Sequence, residues 1–198
     1  AMRAWQRKLH GERLLAVAWP VEYGGAGLSP MEQAILNEEL ARLRAPGVVN
    51  AMAIWWVGPA IMRYGTEEQK QRFIPKILTA EEIWATGYSE PASGSVMAAA
   101  ATKAERVGDD YVVNGQKIWT TLAHISDWYF VLVRTSNESK WGGLSLLLMD
   151  MRSPGVEIRP IRQIDGGSEF NEVFMTDVKV PVANLLGKEG QGWEVVSS

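Results

Sequence analysis

Two short stretches concentrate the side chains able to do chemistry. The first, Thr86 to Ser95, reads TGYSEPASGS and follows an apolar, β-prone run that begins near Ile83. Its hydroxyls and free backbone N–H groups, set on an irregular backbone, form a nest suited to phosphate or carbonyl oxygens. The same composition also describes a plain polar loop at a strand end. The second, Lys117 to Thr121, reads KIWTT and sets Trp119 beside Thr120 and Thr121. On an open strand face this is an aromatic plate flanked by donors, suited to a flat heteroaromatic ring. On a closed face it is a core strand with Trp119 buried.

Other chemistries are excluded by composition. The chain has no cysteine, so disulfides, thiolate zinc sites and a cysteine nucleophile are ruled out. His10 and His124 lie far apart without ligand spacing and read as surface or structural residues. No G-x-S-x-G elbow, P-loop or H-E-x-x-H is present. Gly187, Gly190 and Gly192 do not follow a β–α crossover, so they read as solvent loop rather than a dinucleotide fingerprint. A net charge of −3 without a basic cluster gives no reason to expect nucleic acid. No apolar run reaches the roughly 20 residues of a membrane span, and no signal peptide is visible, which makes the cytoplasm the default.

The elements that must position the two stretches are legible in the periodicity. With 198 residues, 46% hydrophobic and 22% charged, a globular core is expected. The first eighty residues read as helical. Ser29, Pro30 and Glu32 form a capping box, followed by Leu36, Leu40 and Leu43 on one apolar stripe. A second helix is expected over 51–64. A third, capped by Thr66 and Gln69, should be interrupted or kinked by Pro75. Within the second, the adjacent Trp55 and Trp56 should point to different faces, so that at most one lines a pocket and core packing is favoured.

From about Ile83 the period becomes that of strands. YVVNGQKIWTT reads as a hairpin turning at Asn114-Gly115 in a type I′ turn. Further strands are expected at 101–107, 128–135, 144–150, 156–161 and 172–180. Many short strands with Gly/Pro/Asp/Ser punctuation predict an antiparallel sandwich or barrel. The expected fold class is α+β, with a helical unit over 1–82, a β unit over 83–187 and the start of another helical region over 188–198.

Taken in order, SEPASGS, VVNGQKIWTT, MRSPGVEIRPI, FNEVFMTDVKVP and GQGW, preceded by WPVEYGGAGLSPMEQAILNEELAR and YGTEEQKQRFIPKIL, resemble the acyl-CoA dehydrogenase family. The resemblance runs through essentially the whole chain. It implies an N-terminal helical domain, a central β domain and a C-terminal helical bundle, the last lying beyond Ser198. It also implies FAD, an acyl-CoA substrate dehydrogenated to the 2-enoyl-CoA, an electron-transfer flavoprotein as acceptor, and a homo- or hetero-oligomer. Acyl-CoA oxidases and flavin monooxygenases of the same architecture, or a non-catalytic subunit, are the alternatives.

Carried over by motif, Tyr88 and Ser89 would face the pyrimidine side of the flavin through backbone N–H and hydroxyl. Gly94 and Ser95 would close the same loop, with Ser95 reaching the diphosphate or the CoA thioester arm. Trp119 would cover the ring, and Thr120 and Thr121 would donate toward its N5 and C4 carbonyl edge. The family commonly carries an acidic residue after that serine, where this chain has Val96. The family's catalytic glutamate comes from the C-terminal helical domain. No catalytic residue is therefore assigned within 1–198, and Glu81, Glu82, Glu90 and Glu172 are poor substitutes.

Overall fold

The structure, a computed structural model, describes residues 1–94, 97–137, 139 and 141–197. Helices come first: α1 (Met2–Gly11), α2 (Pro30–Arg42), α3 (Gly58–Tyr64) and α4 (Glu67–Leu78). Both expected capping boxes are formed, Ser29 with Glu32 and Thr66 with Gln69. The apolar stripe of α2 is only half covered. Leu36 and Leu40 line a cavity of about 430 Å³ opposite Leu15, Trp19 and Ile54, while Leu43 is exposed.

Two expectations about these helices are corrected. Pro75 does not interrupt α4, which continues to Leu78. The proline sits in the last turn; lacking an N–H it cannot serve the Gln71 carbonyl, but only three helical residues follow it, and Thr79 N–H and Oγ both bond the Pro75 carbonyl. The expected helix over 51–64 is not uniformly α: Ala53–Val57 forms a π turn that runs into α3. Such widened turns re-aim side chains. Here Trp55 and Trp56 are both more than half or half exposed, and both line one cleft instead of packing in the core.

The strands are β1 (Trp84–Gly87), β2 (Lys103–Val107), β3 (Asp110–Thr121), β4 (Trp128–Arg134), β5 (Leu144–Asp150), β6 (Val156–Pro160), β7 (Phe170–Pro181) and β8 (Leu185–Leu186), before α5 (Gly192–Val196). They form an eight-stranded sheet in the order β6-β7-β3-β2-β4-β5-β8, with β1 pairing beside β4. Pairing is antiparallel except for β1 and a single β2 bridge, both parallel to β4. The unbroken apolar runs of β4 and β5 have a direct cause, because alternate residues enter different cores. Phe130, Leu146 and Leu148 pack with Trp84 and the helices. Tyr129, Val131, Leu147 and Met149 pack inside the curled sheet with Val113, Val173 and Val178.

The expected Asn114-Gly115 hairpin is absent. Both residues lie inside β3, and the tight turn is Gly108-Asp109, which joins β2 to β3 with Gly108 at φ 62°. Val113 and Gly115 instead bracket a register shift against β7, where Asn114 exchanges hydrogen bonds with Asp177 at 2.9 and 3.0 Å. The turn preference of Asn-Gly holds only when its flanks pair with each other. Here both flanks pair with a third strand, and Gly115, at φ 156°, stands opposite the extra residue that β7 carries in this bulge. A Cβ at Gly115 would lie 2.6–2.8 Å from Thr102.

Buried amides join the helices to β1. Gln6 donates to the Ile77 and Leu78 carbonyls and accepts from the Asn50 N–H. Asn50 donates to the Ile77 and Glu82 carbonyls and accepts from the Trp84 N–H at 3.1 Å. The end of α4 and the start of β1 are thus fixed to each other, which sets where Gly87, Tyr88 and Ser89 emerge.

Candidate functional site

The two stretches singled out in the sequence meet where β1 ends. Beyond Gly87 the chain leaves β4 and crosses to β3, where the Ile118 N–H donates to the Ser89 carbonyl at 3.0 Å. At that crossing β3 carries a second register shift: Lys117 faces Val173 and Thr120 faces Asn171, so β3 spends one extra residue. Trp119 adopts φ 61°, a conformation costing a non-glycine residue about 1–3 kcal/mol. Bulges of this kind re-aim side chains. Without it Trp119 would share the inward face of Lys117; with it Trp119 is 56% exposed and Thr120 takes the buried position. The core-strand reading of Trp119 is thereby excluded.

Around the crossing the donors sort by direction. Among the described residues, neither the N–H nor the hydroxyl of Ser89 has a hydrogen-bond partner, and the Thr121 hydroxyl has none either. Thr121, Thr86 and Tyr88 line a cavity of about 450 Å³ with Met52, Trp55, Trp56, Pro59, Phe130, Val195 and Val196. The Tyr88 ring packs edge-on against Phe130 at 6.2 Å, and burial pushes its hydroxyl well above the ordinary value. Trp119 stands edge-on to Phe170, also at 6.2 Å. Of the expected ring contacts, Tyr88 and Thr121 line this apolar-walled cleft, whereas Ser89 and Trp119 are not part of its lining.

Thr120 departs from the expectation that it donates toward a ring. Its hydroxyl is buried and shares a 2.8 Å hydrogen bond with the Tyr129 hydroxyl, while its carbonyl accepts from the buried Asn171 amide at 3.0 Å. Gly94 is exposed, and a Cβ there would meet no atom of the described residues within 4 Å. Ser95 and Val96 lie outside the described residues.

Three residues to which the sequence assigned no binding role hold the site together. Gly87 lies against the Tyr129 ring, and a Cβ there would sit 2.3 Å from its Cζ. Lys117 is completely buried and donates to Glu90 Oε1 at 2.8 Å and to the Tyr88 carbonyl at 3.3 Å. Glu90 in turn accepts from the N–H groups of Ala101 at 2.7 Å and Thr102 at 2.9 Å. Burial pushes the Glu90 carboxyl up, but Lys117 and those amides overcome it and hold the group below the ordinary carboxylate value. Burial also lowers the Lys117 ammonium, and Glu90 opposes that shift. These contacts engage both Glu90 carboxylate oxygens and give the group a structural role. A lysine next to an apolar strand carried no periodic signal of burial.

Sequence models of the acyl-CoA dehydrogenase N-terminal domain and middle domain match residues 2–81 and 85–178. The chain belongs to the acyl-CoA dehydrogenase family. It is 47% identical over 98% of its length to acyl-CoA dehydrogenase IpdE1 of Mycolicibacterium smegmatis, of which it covers 52%. It superposes with a TM-score of 0.90 and 40% identity on a chain of the ChsE4-ChsE5 complex from Mycobacterium tuberculosis, covering 99% of itself and 50% of that chain. The Tcur3481-Tcur3483 steroid ACAD aligns at a TM-score of 0.91 and 34% identity, with 100% and 51% coverage. The chain thus spans about half the length of these relatives.

Proposed function

We propose that this chain forms the flavin-facing half of an FAD-dependent acyl-CoA dehydrogenase that oxidises the Cα–Cβ bond of a thioester to the 2-enoyl-CoA and passes the electrons to an electron-transfer flavoprotein. The observation carrying this reading is the bulge that turns Trp119 outward on the strand that pairs with Ser89, where the Ser89 and Thr121 donors have no partner among the described residues. That donor set fits a flat ring bordered by carbonyl and nitrogen acceptors. Ser89 would hold the pyrimidine edge through its N–H and hydroxyl, Thr121 would donate along the N5 and C4 carbonyl edge, and Trp119 would exclude water from the ring. Bound there, the flavin supplies the hydride acceptor for Cβ. Donors placed in advance where negative charge develops favour its reduction.

No carboxylate lines the cleft among the described residues, so the α-proton needs a base from outside this lining. Trp55, Trp56, Pro59 and Phe130 present broad flat apolar surface to the acyl group. With a steroid ACAD among the similar structures, this supports a ring-bearing, steroid-derived acyl group. The relative in a two-component complex supports a hetero-oligomer. The test is turnover of the holoenzyme with an artificial electron acceptor, comparing steroid-derived with straight-chain acyl-CoA thioesters. Preference for the former supports the reading, and turnover of straight chains alone refutes the substrate class. Peroxide released in step with oxygen uptake would reassign the enzyme as an oxidase.

A further inference from the structure

Lys117 lies behind the cleft, and the mechanism above makes no use of it. It occupies the last regular position of β3 before the bulge, with its side chain fully buried. Its ammonium reaches the Tyr88 carbonyl at 3.3 Å, and the next N–H along β3, that of Ile118, reaches the Ser89 carbonyl at 3.0 Å. Both carbonyls flanking the Ser89 amide are therefore pinned to the strand that carries Trp119 and Thr121.

The Tyr88–Ser89 peptide is trans, like every peptide bond among the described residues, so its carbonyl and N–H point in opposite directions. Drawing the carbonyl toward Lys117 turns the N–H away from it, and that N–H has no partner among the described residues. A cation on the carbonyl also polarises the peptide, which strengthens the N–H as a donor. Glu90 completes the device: with two backbone amides it keeps the ammonium in place and ties the loop to Ala101 and Thr102.

We infer that Lys117 is a positioning residue for the electron acceptor, setting through the Tyr88–Ser89 peptide both the aim and the donor strength of the Ser89 N–H. The inference rests on the flavin reading of the cleft. Because the reduced ring carries more negative charge than the oxidised one, a strengthened donor favours the reduced form, and loss of Lys117 lowers the potential.

Lys117→Met alone leaves Glu90 buried without its cation, a change that can unfold the protein. The test therefore pairs it with Glu90→Gln, so that no charge is left buried. Both variants are made as holoenzyme, with three readouts: thermal midpoint, dissociation constant of oxidised FAD, and midpoint potential of the bound flavin. The double variant is expected to fold, to bind oxidised FAD less tightly, and to favour the reduced form about tenfold less, which for a two-electron couple is about 30 mV more negative. A folded double variant that no longer retains flavin also supports the inference. A folded double variant with wild-type potential and affinity overturns it and leaves Lys117 a purely structural group. Wild-type full-length protein that binds no flavin would instead overturn the functional reading itself.

Discussion

The hydroxyl pair of Thr120 and Tyr129 offers the sharpest test of how the site is held. The two oxygens are 2.8 Å apart, both residues are almost wholly buried, and burial pushes the Tyr129 hydroxyl well above its ordinary value. Tyr129→Phe leaves the Thr120 hydroxyl in the core without its partner, and Thr120→Val does the same to Tyr129. Each change is expected to cost about 1–3 kcal/mol, the penalty of a stranded buried polar group. Removing both leaves nothing stranded, so the double variant should cost no more than the worse single one. The coupling energy should then be about 1–3 kcal/mol. The assay is denaturant unfolding of the four proteins in one buffer, with flavin content measured alongside, since Thr120 lies between Trp119 and Thr121. Additive costs in the cycle, within about 0.5 kcal/mol, would refute the claim that the pair acts as a unit.

Other outcomes follow from the same geometry. On the proposed placement of the ring, Thr121 donates to an edge that gains negative charge on reduction, a bond worth about 1.5–3 kcal/mol, so Thr121→Val should slow flavin reduction by substrate about tenfold or more; Trp119→Ala should lower flavin retention, and unchanged retention and reduction in both variants would refute the ring-edge assignment. Gly87→Ala places a carbon 2.3 Å from Tyr129 and Gly115→Val places one 2.6 Å from Thr102, so each should lower the thermal midpoint, with Gly87→Ala also depleting flavin. The Glu90 and Glu82 carboxyls are both held below the ordinary value of 4.5 in the folded chain, against burial, by Lys117 and by Arg72 with Lys76 respectively. A depressed folded value means that the unfolded state binds protons first, so their stabilisation is complete above about 4.5 and is lost as pH falls through the folded values. Unfolding midpoints followed downward from neutral pH should drop in that acid window, and a flat profile there would contradict the pairing.

The α+β class, both capping boxes and the positions of β4 to β7 were legible because they rest on local chemistry and on period. The site was half legible. Ser89, Trp119 and Thr121 stand out as a hydroxyl and aromatic cluster; the structure brings their two stretches together through the Ile118–Ser89 hydrogen bond and puts Thr121 in the cleft lining. Thr120 did not separate from Thr121 because strand alternation fixes faces only where the register is continuous. One extra residue at 118–119 reverses the parity, and nothing local marks a bulge occupied by tryptophan. Asn114-Gly115 misled for a related reason, since a glycine at positive φ can lie inside a strand opposite a partner's bulge as well as at a turn. Lys117 and Glu90 were invisible as a pair because their meeting depends on the crossing of β1 and β3, which are distant in sequence.

Anaerobic titration of the holoenzyme with an acyl-CoA, followed at the oxidised-flavin absorbance band, tests the central claim most directly. The account predicts a flavin-bearing protein whose band bleaches with substrate in wild type, and bleaches markedly more slowly in Thr121→Val. A protein that carries no flavin, or whose flavin stays oxidised with every acyl-CoA offered, would contradict it.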